Sequence, residues 1–343
     1  MSRILVTGAA GFIGSQLAHD LWQRGEQVVL LDNFSYGLED NLIFDDHNFR
    51  QEILREDICD RPMLDKLFSE QNFDYVYHIA AITPLPDCQV DPGKAAEVNV
   101  AGTVNILEAA RKYGVKKVIF ASTSAVYENC TQFPTTESDV QHTTLVYSTC
   151  KYTAEQFCQA FSEVYGLPVT VLRFANVYGP HIDCLRTQPP VVGYIIRELY
   201  YGRTPVMHSD GEQRRDFVYV DDLIDLALRV QRGSGFDIVN VSTNRTWSIN
   251  EIYNTIAAIM DRSDCPLERA AVSHYWYRYP ALYEGAYRIS DQVLANEVNK
   301  HTECSNVLAQ EKYGWTPQTT LEAGLRATVE FSIQVLEKAG RHP

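Results

Sequence analysis

The segment VTGAAGFIG, Val6 to Gly14, constrains this chain more than any other stretch. The apolar run Ile4–Val6 before it reads as a buried strand, and GSQLAHDLWQRG reads as a helix closing on Gly25. Gly8, Gly11 and Gly14 therefore fall on a strand-to-helix turn. Glycines there permit a tight turn, a close backbone approach to a pyrophosphate and intimate helix–strand contact. The helix start adds unpaired N–H groups and the positive end of the helix dipole. Three glycines alone would suit an ordinary turn, but Asp32 ends the next strand, QVVLLD. That is the spacing of a carboxylate that takes hydrogen bonds from adenosine ribose hydroxyls. The pattern predicts a bound dinucleotide. A carboxylate at position 32 would repel a 2′-phosphate, and NFSYGLEDN brings no arginine, so NAD is expected over NADP.

The rest of the first half alternates short β-branched runs with helical patterns, the rhythm of parallel βαβ units. DYVYHIAA, KKVIFAS and PVTVLRFANVYGP read as strands, the last followed by a turn; MLDKLFSE and NVAGTVNILEAARKYG read as helices. Beyond Pro180 the rhythm loosens. PPVVGYIIRELYYG reads as a helix, DFVYVDDLIDLALRV as a strand leading into a helix, and DIVNVS as a strand. SINEIYNTIAAIM opens on Ser248 with Glu251 three residues on, a capping box. The expected fold is α/β: a Rossmann-type doubly wound parallel sheet with a smaller α+β substrate-binding lobe. Residues 1–175 with about 216–245 are expected to form the first unit, and about 176–215 with 246–343 the second.

Composition excludes several classes. A net charge of −14 shows no basic stripe for nucleic acid. No run of eighteen apolar residues predicts a membrane span, and no targeting segment is evident. The eight cysteines lack CxxC pairs, so no metal site and no disulfide framework is expected, and the reading is a soluble, cytoplasmic protein.

Tyr147 and Lys151 in YSTCK lie at i and i+4, on one helical face. A phenol titrates near 10, so acting as a base near neutrality requires a nearby cation, which Lys151 can supply. Cys150 shares a stripe with Ala154, Phe157, Phe161 and Val164 and reads as a packing residue, not a nucleophile.

With TGAAGFIG, DNFSYG, Asp57-Ile58, HIAA, NVAGT, ASTSAVY, YSTCK, RFANVYGP and RRDFVYVDD in order, the chain resembles the extended short-chain dehydrogenase/reductases. Within them it is most similar to the NAD-dependent UDP-hexose 4-epimerases of the nucleotide-sugar epimerase/dehydratase family. The resemblance implies Thr123, Tyr147 and Lys151 as catalytic residues. It implies cofactor contacts from Phe12, Ile13, Asn33, Asp57, Ile58, Ile79, Ala80, Asn99 and Phe174 besides the glycines and Asp32. It places substrate contacts at Thr83, Ser124, Asn176 and Arg215, with Arg278 or Arg288 as a second diphosphate-binding arginine. The implied substrate is a nucleotide-linked hexose. A homodimer is expected, through apolar stripes on helices 100–113 (Val104, Leu107, Ala110) and 147–165 (Phe157, Phe161); the other reading is that these stripes only cover the sheet.

Three departures matter. Ser124-Ala125 stands where sugar dehydratases carry an acid pair and sugar-acid decarboxylases a glutamate. ITPLPDCQ puts Thr83 where many relatives have lysine. The stretch 275–301 follows the pattern poorly, so the residue that admits or excludes an N-acetyl group is not assigned. An NAD-dependent epimerase inverting C4 is the leading expectation. A sugar or nucleotide-sugar reductase/dehydrogenase is the alternative, and a catalytically silent Rossmann scaffold the third.

Overall fold

The computed structural model describes residues 1–340. In chain order its strands are β1 (Arg3–Thr7), β2 (Gln27–Leu31), β3 (Tyr75–His78), β4 (Lys117–Thr123), β5 (Val169–Phe174), β6 (Asn176–Tyr178), β7 (Val206–Met207), β8 (Arg214–Tyr219), β9 (Phe236–Val241), β10 (Thr246–Ser248) and β11 (Glu268–Arg269). Six of them form one all-parallel sheet in the order β2-β1-β3-β4-β5-β9. Alternate side chains leave its two faces, as strand geometry requires. Ile4, Val6, Tyr77, Ile119 and Leu172 enter one apolar core, whereas Leu5, Val76, Val118, Phe120 and Val171 enter the other. Both faces are covered, so β4 and β5 read as continuous apolar runs.

The chain leaves β1 for β2 on one side and returns to β3 on the other. This reversal opens a crevice at the carboxyl ends of β1 and β3, the position where such sheets bind ligands. Beyond β2, Leu54 adds a single parallel bridge to Leu31, its N–H donating to the Leu30 carbonyl at 2.8 Å. The sequence reading named no strand there.

Two segments depart from expectation. PVTVLRFANVYGP is two strands, not one. It divides at Ala175, whose N–H still donates to the Val241 carbonyl at 3.0 Å, and β6 then turns away to pair with β8. β8 itself joins β6 and β10 in a separate three-stranded sheet. Of the stretch 216–245, therefore, only β9 pairs with the large sheet, while the helix Val220–Val230 packs against helix Phe12–Gln23 and β5. NVAGTVNILEAARKYG is also not uniform: Glu97–Gly102 is a π-helical stretch leading into the helix Thr103–Lys112.

The capping box forms as read. The Ser248 hydroxyl accepts from the Glu251 N–H at 3.0 Å, and the Glu251 carboxylate from the Ser248 N–H at 2.7 Å. Cys150 is buried beside Cys88 and Ala95. Leu107, Ala110 and Phe161 face the second core, whereas Phe157, Val164 and Tyr165 on the helix Val146–Tyr165 stay exposed. No helix among the described residues is long and apolar enough to cross a membrane, and none of their His, Cys, Asp or Glu side chains gather in threes to hold a metal ion.

Candidate active site

A cleft of about 950 Å³ runs along the carboxyl edge of the large sheet into the second lobe. Its first end is built from backbone. Gly8 has φ +71°, and a Cβ there would come 2.7 Å from the Ala80 nitrogen; a Cβ on Gly14 would come 2.1 Å from the Gly8 carbonyl oxygen. Only glycine permits this cradle. Helix Phe12–Gln23 begins there with no side-chain cap and no acidic residue in its first turn, which leaves its N–H groups to an anion. The Asp32 carboxylate is held by the N–H groups of Ala10 at 3.0 Å and Phe34 at 2.7 Å. The cradle, the uncapped helix and the carboxylate fit a dinucleotide: pyrophosphate at the glycines, ribose at Asp32.

Gly11, Phe12, Ile13, Asn33, Ile58, Ile79, Ala80 and Phe174 also reach the wall of this cleft. Asp57 and Asn99 do not line it; both act one step behind. Asp57 accepts from the Asn33 amide at 2.9 Å. Asn99 clamps both backbone groups of Ile82, accepting from its N–H at 2.8 Å and donating to its carbonyl at 2.9 Å. The side chain on the π-helical stretch thus fixes the loop that follows β3.

Thr123 ends β4, and Tyr147 meets it from the first turn of helix Val146–Tyr165; both line the cleft. That turn is capped from elsewhere. The Glu128 carboxylate accepts from the N–H groups of Thr144 and Leu145 and from the Ser148 hydroxyl, and Gln89 accepts from the Val146 N–H at 2.6 Å. Burial pushes the Tyr147 phenol above its usual range, partly offset by a hydrogen bond with Thr123 and by the Arg186 charge. Lys151 lies one turn on, beneath the wall. Its ammonium stands 4.4 Å from the Phe120 ring centroid and makes no hydrogen bond among the described residues, and burial lowers its pKa to about 8.

His78, beside this lysine, was named only as part of a motif. Thr103 donates its hydroxyl to the Asn99 carbonyl at 2.8 Å, so at 3.0 Å it accepts from His78 Nε2. Nδ1 is left to accept from the Thr7 hydroxyl at 2.7 Å. Burial, with the Lys151 charge, lowers the imidazole to about 3 and keeps it neutral. It ties β1, β3 and the helix Thr103–Lys112 together under Tyr147 and Lys151.

At the far end, Asn176 on β6 and Arg215 on β8 sit on neighbouring strands at the wall. Arg215 Nη2 donates to the Glu297 carbonyl at 3.0 Å, while its buried Nη1 has no partner among the described residues. An unpaired buried guanidinium nitrogen on a cleft wall calls for an anion. Thr83 and Arg278 reach the wall; Arg288 and Ser124 do not, Ser124 being 7% exposed in the turn after β4. The sequence reading missed Tyr36, Asp87, Arg186 and Tyr279, which gather beside this end. Only the unusual ITPLPDCQ hinted at them, since the four come together from separate loops.

This geometry matches that of known proteins. The model of the NAD dependent epimerase/dehydratase family matches residues 4–242. The chain is 33% identical to the UDP-glucose 4-epimerase of Mycolicibacterium smegmatis over 96% of this chain and 98% of that one. It is 30% identical to the dTDP-D-glucose 4,6-dehydratase of Mus musculus over 96% of this chain and 88% of that one. The Thermotoga maritima UDP-glucose 4-epimerase, solved with UDP-glucose, superposes with a TM-score of 0.85 at 32% identity, covering 97% of this chain and 99% of that one. With the glycine cradle, the Tyr147–Lys151 pair and the family model all falling on the same residues, the chain belongs to the NAD-dependent epimerase/dehydratase family.

Proposed function

We propose that the protein is a nucleotide-sugar 4-epimerase, inverting C4 of a UDP-linked hexose through a transient 4-keto sugar. The observation that carries this reading is the company Tyr147 keeps. Thr123 ends β4 beside it, and the turn that follows, Ser124–Tyr127, carries no acidic residue. Elimination or decarboxylation needs a further acid or base within reach of the sugar. Ser124-Ala125 supplies none. Proton transfer at one hydroxyl is what remains.

NAD bound at the glycine cradle supplies the hydride acceptor and, on the return, the donor. Tyr147 removes the proton of the 4-hydroxyl and later restores it, and the Thr123 hydroxyl aligns that oxygen. Lys151, which makes no hydrogen bond among the described residues, favours the phenolate by its charge. His78 holds the strand ends beneath them without itself titrating near neutrality. Arg215 and Asn176 hold the diphosphate, Arg215 through the Nη1 that has no partner among the described residues. Anchoring at the diphosphate lets the ketose swing and present its other face.

The lobes are assigned as 1–175 with about 216–245, β8 excepted, for the cofactor, and the remainder for the nucleotide sugar. A homodimer is assigned to the helices Thr103–Lys112 and Val146–Tyr165, where Phe157, Val164 and Tyr165 lie exposed; a monomer by light scattering at micromolar concentration would exclude it.

The test is turnover of UDP-glucose, UDP-galactose and their N-acetyl and uronic-acid analogues, with inversion at C4 followed by NMR. Tyr147→Phe should retain the fold and NAD but lose at least ~10²-fold in rate, the usual worth of a positioned acid-base group. Near-wild-type turnover in that variant, or consumption of added cofactor in place of inversion, would overturn the reading.

A further inference from the structure

The loop between β6 and the helix Val191–Tyr200 brings Arg186 to the cleft wall. Neither a sequence motif nor the family resemblance accounts for it. The loop is rigidly set. Asp183 accepts from the N–H groups of Leu185 at 3.0 Å and Arg186 at 3.1 Å, and Arg186 Nε donates to the Gln188 carbonyl at 2.8 Å. Backbone and first nitrogen are thereby fixed. Nη1 and Nη2 have no hydrogen-bond partner among the described residues. Such a guanidinium presents two parallel donors in a plane, the geometry that matches two oxygens of one anion. It lines the cleft with Thr83, Thr123 and Tyr147, at the sugar end, and its charge reaches the Tyr147 phenol.

Two acids stand near it, Asp183 and Asp87, and neither hydrogen-bonds to its guanidinium among the described residues. Asp183 caps its own loop as described. Asp87 accepts from the Tyr36 hydroxyl at 2.7 Å and lies beside the Tyr279 hydroxyl. Neither acid forms an ion pair with Arg186 among the described residues. Tyr36, Asp87, Tyr279 and Arg186 wall a side cavity of about 430 Å³ that shares Arg186, Thr187 and Gln188 with the main cleft. Tyr36 holds one oxygen of Asp87, whose Oδ1 is buried without a partner among the described residues, and the two Nη nitrogens of Arg186 stay uncommitted there.

We propose that Arg186 determines specificity in the sugar subsite, and that the sugar it selects carries a carboxylate, as a nucleotide-linked uronic acid does. This rests on the epimerase reading above and narrows its substrate. A hydroxymethyl group at C5 offers one neutral oxygen, whereas a carboxylate there offers two oxygens and a charge to a half-buried cation. An acetamido group offers a single neutral carbonyl. The charge-assisted contact with the carboxylate should be worth roughly 10- to 100-fold in affinity.

The experiment compares UDP-glucuronate, UDP-glucose and UDP-N-acetylglucosamine, in binding by calorimetry and in C4 inversion, with the full-length protein and its Arg186→Met and Arg186→Lys variants. Retained NAD and an unchanged unfolding midpoint establish that each variant is folded. Wild type should prefer the uronate. Arg186→Met should lose roughly 10- to 100-fold in kcat/KM for the uronate, mainly through KM, and far less for the neutral sugars, with partial recovery in Arg186→Lys. Equal or better use of a neutral sugar by wild type overturns the proposal, as does an equal loss for all three sugars in Arg186→Met. If no sugar is inverted but uronate affinity still falls selectively in Arg186→Met, the specificity role stands and the epimerase reading fails.

Discussion

The two ends of the cleft are made differently. At the cofactor end, contacts come from backbone and short side chains: the Gly8 cradle, the start of helix Phe12–Gln23, and an Asp32 carboxylate pinned by two amides. At the sugar end, long side chains reach in from separate loops. Arg186 and Tyr36 are each held by one side-chain hydrogen bond and Arg278 by two, and both arginines leave guanidinium nitrogens uncommitted among the described residues. Backbone recognition is stiff and suits a ligand that must stay in one pose. Long side chains on loops yield at modest cost and suit a ligand that changes its pose. Between the two ends stands the Thr123–Tyr147 contact, supported from below by a buried polar network.

That support is where the contrast can be broken with the largest effect. Arg173 and Glu155 form an ion pair at 2.6 Å with side chains 2% and 0% exposed, and Arg173 also donates to the Tyr127 hydroxyl at 2.8 Å. Arg173→Met leaves Glu155 charged without its partner and should cost about 3–5 kcal/mol of stability, measured by urea unfolding. A loss below about 1 kcal/mol would show that the pair does not hold β5 to the helix Val146–Tyr165.

A smaller effect should be confined to the cofactor end. Gly8→Ala places a Cβ 2.7 Å from the Ala80 nitrogen in a left-handed backbone, which costs of order 1–3 kcal/mol. NAD should be lost on dialysis, while UDP binding measured by calorimetry persists. Equal weakening of both ligands would mean that the ends are not independent.

The smallest effect is a shift in a pH profile. Lys151 titrates at about 8 because burial disfavours its charge. Above that pH the ammonium loses its proton and no longer favours the phenolate, so turnover should fall on the alkaline side. An arginine stays charged there, and Lys151→Arg should carry the fall to higher pH. Identical alkaline limbs in the two proteins would assign the fall to another group.

The parts that were legible before the structure share a property: their bonds run between residues close in sequence. The Ser248–Glu251 capping box closes within three residues, and Tyr147 and Lys151 share a face by helical spacing alone. The glycine loop is a single turn. By contrast, the helix bearing Tyr147 is capped by Glu128 and Gln89, which no local pattern assigns to it. The end of β5 was misread because VTVLRF and NVY are separated by a change of sheet at Ala175, and strand propensity does not register which partner a strand finds. The apolar stripe of Phe157 and Phe161 was similarly ambiguous, since periodicity marks a helix face without stating what covers it.

The sequence by itself determined the parallel α/β order, the dinucleotide end of the cleft and the shared helical face of Tyr147 and Lys151. Each depends on backbone turns, helical spacing or a short strand end. Tertiary structure alone decided the sugar end. Arg186, Asp87, Tyr36 and Tyr279 lie far apart along the chain, and β8 carries Arg215 to the wall only because it pairs with β6 outside the main sheet. Their charges and hydroxyls become a site only when separate loops converge. That convergence is set by how the second lobe packs over the sheet, a property of long-range contacts that local pattern does not encode.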